Sequence, residues 1–202
     1  MGAFLSNIRY VAWTTLAIAV LFLVYYALGV RSYAFTDNAF WGAALRWSHV
    51  LSGIMWIGLL YYFNFVQTPS MPKIPDEQKP AISKVIAPEA LFWFRWGAMS
   101  TLVFGLLLAL MNGYLIDAIL IGITDGGNST MIGIGMWLGT IMWFNVWFVI
   151  WPNQKIALGL VDAAADAKPK AARTAGMFSR INTMLSLPML YCMVAQQHGG
   201  LA

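Results

Sequence analysis

Charge is scarce in this chain, and cysteine is scarcer. Of 202 residues, 10% are Asp, Glu, Lys or Arg, against 60% apolar. Soluble domains carry roughly a quarter charged residues, so the composition excludes an ordinary soluble globular class. One cysteine, Cys192, leaves no internal disulfide, and no Cys-x-x-Cys-His haem attachment sequence occurs. In its apolar run Cys192 reads as a small buried hydrophobe. Histidine is limited to His49 and His198, so imidazole chemistry has only these sources. The net charge is +4, and the basic residues cluster in two connecting segments. That pattern suits membrane topology, and no nucleic-acid partner is expected.

What the chain has in quantity is apolar sequence. A transmembrane helix needs about 20 mostly apolar residues. Such runs fall at about 10–30, 45–67, 91–115, 131–151 and 176–198. The expected fold is all-α, a polytopic integral membrane bundle of five transmembrane helices forming a single membrane domain over 1–202. Prolines at 69, 72, 75, 80 and 88 rule out one helix across the connection at about 68–90. A short amphipathic segment near Asp76 to Ile86 is expected on the membrane surface. Pro88-Glu89 reads as the first turn of the third span. Gly135-x-x-x-Gly139 in the fourth permits close helix approach, and Pro188 kinks the fifth.

Basic residues set the orientation. Arg9, the group Lys73, Lys79 and Lys84, and the group Lys155, Lys168, Lys170 and Arg173 fall on one side of the layer, whereas Asp117 to Asn128 holds no Lys or Arg. The N-terminus and the connections at about 68–90 and 152–175 are then cytoplasmic and the C-terminus lies outside. Arg31 and Arg46 oppose the pattern. The expected location is the bacterial inner membrane, with the lipid bilayer as the first partner.

The second run carries unusual polar residues. At 100° per residue, His49, Gly53, Trp56, Leu60 and Gln67 lie close to one line, with Arg46 and Asn64 beside it. Polar groups facing lipid are costly, so this line is expected to face protein, water or a cofactor. The topology puts His49 and His198 near the same outer surface on different helices. Two imidazoles at one depth are what a bis-histidine b-type haem requires, with Arg46 available to a propionate and Trp56 along the same line. A single-ligand or proton-relay role for His49, and a purely structural one, stand beside that reading. A second polar set gathers toward the inner side: Asn64, Gln67, Glu89, Arg95, Asn145, Arg180 and Asn182. Interhelical hydrogen bonding accounts for such a set; a quinone or substrate pocket, or a proton path, is the functional alternative. Arg95 needs a partner or must reach the interface, and Glu89 stands one and a half turns before it.

Two stretches carry a resemblance. Arg46-Trp47-Ser48-His49-Val50-Leu51-Ser52-Gly53-Ile54-Met55-Trp56-Ile57-Gly58, continuing to Gln67, resembles the second span of the membrane-bound urate oxidase N-terminal family. Ser179-Arg180-Ile181-Asn182-Thr183-Met184-Leu185-Ser186-Leu187-Pro188-Met189-Leu190, followed by His198, resembles its final span. Full-length relatives of this kind resemble urate hydroxylases that join the membrane part to a C-terminal cytochrome c domain; the present chain carries no haem c motif. The resemblance implies a redox membrane protein that binds haem b or a small oxidisable substrate and passes electrons to a separate cytochrome c or to other membrane subunits. The rival reading is a non-catalytic accessory subunit of a larger respiratory or photosynthetic complex.

Overall fold

A computed structural model of the protein describes residues 2–164 and 166–197. Among these residues every regular element is helical. By internal packing the chain divides into two compact units, residues 1–47 and 48–202.

The first unit opens with α1 (Gly2–Leu5) and α2 (Ile8–Val24). Asn7 caps α2, its side-chain oxygen accepting from the Arg9 N–H at 3.0 Å, which supplies a partner to one of the orphan donors of the first turn. α2 runs into a π-helical turn, Tyr25–Val30. The connection that follows is held by its own hydrogen bonds. Arg31 donates to the Tyr33 hydroxyl at 3.2 Å, Ala34 N–H donates to the Asp37 carboxylate at 2.6 Å, and the Trp41 indole donates to the Phe35 carbonyl at 2.9 Å. The Tyr33 contact also holds the Arg31 guanidinium above its ordinary pKa. α3 (Asn38–Tyr61) begins directly after Asp37, seven residues before the span boundary expected at Leu45.

Within the second unit, α4 is Thr68–Ser70, α5 is Lys79–Ala81 and α6 is Ala87–Met111. The prolines do not break these helices where the sequence suggests. A proline lacks the N–H that bonds back along a helix, and its ring crowds the carbonyl one turn earlier. Here the helix widens into π turns just ahead of it: Tyr62–Gln67 before Pro69, Ile82–Ile86 before Pro88, and Asn145–Ile150 before Pro152. In each, the residue preceding proline donates to a carbonyl five back: Thr68 to Phe63, Ala87 to Ile82, Trp151 to Val146. The wider turn carries the chain past the ring without ending it. Consequently Asn38–Lys73 and Lys79–Met111 are each one helical stretch. The connection expected over 68–90 shrinks to 74–78, and the separate surface segment expected at Asp76 to Ile86 is instead largely the first turns of the third helix. Asp76 accepts from Lys79 at 2.5 Å across that turn, which holds the Asp76 carboxyl below its usual range.

After α7 (Leu115–Ile119) and a glycine-rich turn come α8 (Thr130–Phe144), α9 (Trp151–Ala157) and α10 (Ala167–Gln197). Four stretches are long and apolar enough to cross a membrane: Ile8–Val30, Asn38–Lys73, Lys79–Met111 and Thr130–Ala157. α10 is 31 residues long but carries more polar residues. Their place is the interior: Asn182 and Ser186 are 0% exposed. The core of the second unit joins Trp56, Ile57 and Leu60 of α3 to Leu91, Phe94 and Ala98 of α6, Met142 of α8, and Ala175 and Met189 of α10. Outward faces carry large apolar side chains such as Ile54, Trp96, Leu107, Phe148 and Leu187, as a lipid surround requires.

Close approach depends on particular glycines. A Cβ on Gly135 would sit 2.9 Å from Cys192 Cβ, while one on Gly139 would lie 4.0 Å from Met189 Cγ, so the small-residue motif of α8 faces α10 and is tight at its first glycine. Gly133 is tighter still, its hydrogen pointing at the Ala118 carbonyl oxygen of α7. Gly133→Ala is therefore expected to destabilise the protein by about 2 kcal/mol, because backbone cannot yield as a side chain can. Gly139→Ala is expected to be close to neutral. Thermal unfolding of the two variants in detergent checks the contrast.

Candidate functional site

His49 sits on α3 facing α6. The two helices meet through small residues: a Cβ on Gly97 would lie 3.2 Å from the Trp56 nitrogen, and one on Gly105 would lie 2.9 Å from His49 Cε1. The imidazole therefore packs against bare backbone at Gly105. That proximity brings His49 Nδ1 to 2.8 Å from the Thr101 carbonyl oxygen. A carbonyl oxygen only accepts, so Nδ1 carries the proton and donates. Thr101 is itself held, its hydroxyl donating to the Gly97 carbonyl at 2.7 Å. The second ring nitrogen, Nε2, then presents a lone pair, with no hydrogen-bond partner among the described residues. Metal-ligating histidines commonly have one imidazole nitrogen fixed by a backbone carbonyl, which orients the other.

The register sets the depth. Thr101 stands ten residues before the end of α6 at Met111, roughly 15 Å along the helix. His49 meets α6 at that level. Of the other residues proposed for this centre, Arg46 is exposed and belongs to the first unit. Trp56 is 2% exposed and packs in the core, its indole N–H buried without a hydrogen-bond partner. His198 lies outside the described residues. Among the described residues no three His, Cys, Asp or Glu side chains come together in a metal-binding group.

The inner polar set separates into two kinds. Asn64, Asn145 and Asn182 join a hydrogen-bonded network across helices. Asn145 donates to the Asn182 side-chain oxygen at 2.8 Å, and Asn182 donates to the Met142 carbonyl at 2.9 Å. Asn64 donates to Ser179 Oγ at 2.7 Å and to the Leu60 carbonyl at 2.9 Å. Sequence reasoning missed the other members, Ser179, Ser186 and Tyr61. Ser186 gives its proton to the Thr183 carbonyl at 2.7 Å and accepts from the Tyr61 hydroxyl at 2.8 Å. The signal was present: Ser179, Asn182, Thr183 and Ser186 fall at helical spacing on one side of α10. Gln67 contributes a buried side-chain oxygen without a partner.

Glu89, Arg95 and Arg180 stand apart from this network. Glu89 accepts from the Trp93 indole at 3.1 Å and leaves Arg95 to aromatic partners. Arg95 donates from Nε to the Leu91 carbonyl at 3.1 Å. Its guanidinium lies 3.3 Å from the Trp151 ring centroid and 5.8 Å from that of Trp147. Neither tryptophan was singled out by the sequence. Arg180 is exposed.

The class that this fold defines is a polytopic, all-helical membrane protein. Residues 124–201 match the family model described as Urate oxidase N-terminal, so the C-terminal helices of the chain are similar to that family. The match contains Asn145, Arg180 and Asn182. No curated protein and no solved structure matches the chain.

Two outcomes test this geometry. Nitrogen NMR of histidine-labelled protein is expected to show His49 protonated at Nδ1, and Gly105→Ala is expected to abolish that signature, since the new methyl occupies the ring's place; Gly58→Ala, with open space around it, is expected to leave it unchanged. Asn182→Leu strands Asn145 and the Met142 carbonyl in the core. It is expected to cost about 1 kcal/mol, read as a lowered midpoint of thermal unfolding.

Proposed function

We propose that the protein is a redox-type membrane subunit related to the membrane part of urate hydroxylases. His49 is its ligand or substrate-contacting residue, and electrons leave to a separate acceptor such as a cytochrome c. The observation that carries this reading is the Nδ1 hydrogen bond to the Thr101 carbonyl, which leaves Nε2 with a lone pair. The donor chemistry fits the residue that would hold haem b: a neutral, oriented imidazole whose other nitrogen is held by backbone. Such a group, when bound, supplies a one-electron couple. The chain's own part is to fix the ring through Thr101 and Gly105 and to keep polar competition away from it.

In this reading α10 is a fifth span. Its side carrying Met177, Met184, Leu187, Leu190 and Val194 is exposed and apolar, and its polar side is occupied inside the bundle, so its modest hydropathy does not prevent it from crossing. Lys73, Lys79 and Lys84 at one connection and Lys155, Lys168, Lys170 and Arg173 at the other support a cytoplasmic side for both in a bacterial inner membrane, with the C-terminus outside.

The test is a visible spectrum of the purified chain with haem supplied during expression. Soret absorbance is expected in the wild type and is lost in His49→Ala, while His198→Ala separates a one-histidine from a two-histidine centre. A colourless wild type that is recovered only within a larger assembly would turn the assignment toward the accessory-subunit reading.

A further inference from the structure

At the basic end of the second unit, a charge is held in a manner that a purely structural role does not require. Arg95 spends one of its five N–H donors, Nε, on the Leu91 carbonyl. Its planar face is covered by Trp151 at 3.3 Å. The remaining donors lie along the guanidinium edge, and no acceptor meets them among the described residues. Lys155, one turn beyond Trp151 on α9, sets its ammonium 5.7 Å from the same ring. The ion pairs among the described residues are Lys79–Asp76 and Lys170–Asp166; neither Arg95 nor Lys155 takes part. The nearest carboxylate along α6, that of Glu89, is turned to Trp93. Two cations thus share one indole, and no carboxylate among the described residues pairs with either.

The surroundings indicate what would balance them. Trp96 packs edge-on against Trp147 at 5.5 Å, and Phe92 lies 6.4 Å from Trp96. Phe92, Trp93 and Trp96 are each close to half exposed. An apolar aromatic surface therefore runs outward from the paired cations. A ligand matching both parts has an anionic head with several acceptor oxygens and an apolar body. A guanidinium fork suits phosphate oxygens in two-point contact, and cations at the end of a membrane helix attract anionic lipid.

We propose that Arg95, Trp151 and Lys155 form a site for the headgroup phosphate of an anionic phospholipid, whose chains lie over Phe92 and Trp96. Trp151 holds the guanidinium flat, so that its edge faces the phosphate, and Lys155 closes the other side of the same ring. This proposal is independent of any haem at His49.

Native mass spectrometry of the full chain in detergent, titrated with phosphatidylglycerol or phosphatidylcholine, tests it. Preferential retention of phosphatidylglycerol is expected. Arg95→Gln is expected to lower that affinity by about tenfold, the size of a lost charged hydrogen-bond pair, and Lys155→Gln by several-fold. Lys155 packs only at the bundle edge, so its variant folds even if Arg95→Gln does not. Arg180→Gln, removing an exposed cation on α10, is expected to leave the preference intact. Equal binding of the two lipids would overturn the proposal. So would loss of preference in Arg180→Gln to the same extent as in Lys155→Gln, which would mark a diffuse field. Displacement of the lipid by inorganic phosphate at matched concentration would overturn the lipid assignment too.

Discussion

The architecture of the second unit depends on where α10 can put its polar side. Ser179, Asn182, Thr183 and Ser186 line one face of a helix that exposes Met177, Met184, Leu187 and Val194 on another. In a lipid surround a polar side chain needs a protein partner, since an unmet donor or acceptor costs about 1–3 kcal/mol. The interior provides those partners from two helical stretches. Met142 and Asn145 come from α8 and the π turn after it, Asn64 from the turn after α3, and Tyr61 from α3 itself. Each bond is modest in a membrane, where the average is about 0.6 kcal/mol. Their value is directional: a rotation of α10 by one residue would break all of them together, so the network fixes the helix rotation that apolar packing alone leaves loose.

That constraint explains why the sequence is readable in some respects and opaque in others. The apolar runs mark the helices, and 100° periodicity correctly turns His49, Trp56 and Leu60 inward. The helix ends are not readable in the same way. Pro69, Pro88 and Pro152 look like terminators, and a π turn ahead of each carries the helix through, an accommodation without a residue-type signature. His49's partner is harder still. It is a backbone oxygen at Thr101, 52 residues away, and any residue there would offer the same atom. What the sequence does hold is the condition for the contact, glycines at 97 and 105 on one side of α6, whose meaning depends on knowing that α3 is the helix they face. For Arg95, a carboxylate close along the chain attracts the eye, but helix geometry directs Glu89 to Trp93 at i+4, where the side chains meet, and gives the guanidinium to an indole from another helix.

Small residues serve opposite ends along α6. At Gly97 and Gly105 they remove side-chain bulk so that another helix's backbone and an imidazole ring come close. At Gly133 and Gly135 of α8 they do the same for α7 and α10. The difference lies in what fills the vacated space. On α8 it is backbone and apolar side chain, which is packing. On α6 at Gly105 it is a titratable ring with one nitrogen fixed, which is a chemically poised group in an otherwise apolar wall.

The treatment of Arg95 follows from the same economy of polar partners. A carboxylate beside it would neutralise the charge and satisfy the donors, and the arginine would then be inert. An indole does neither. It stabilises the cation through its electron-rich face, by about 0.5–2 kcal/mol, and shields one side of the group, yet it accepts no hydrogen bond from the guanidinium edge. The protein therefore supports the charge without cancelling it. An arginine kept in that condition, beside Lys155 and at the border of an apolar surface, retains the donors that the proposed lipid phosphate would take.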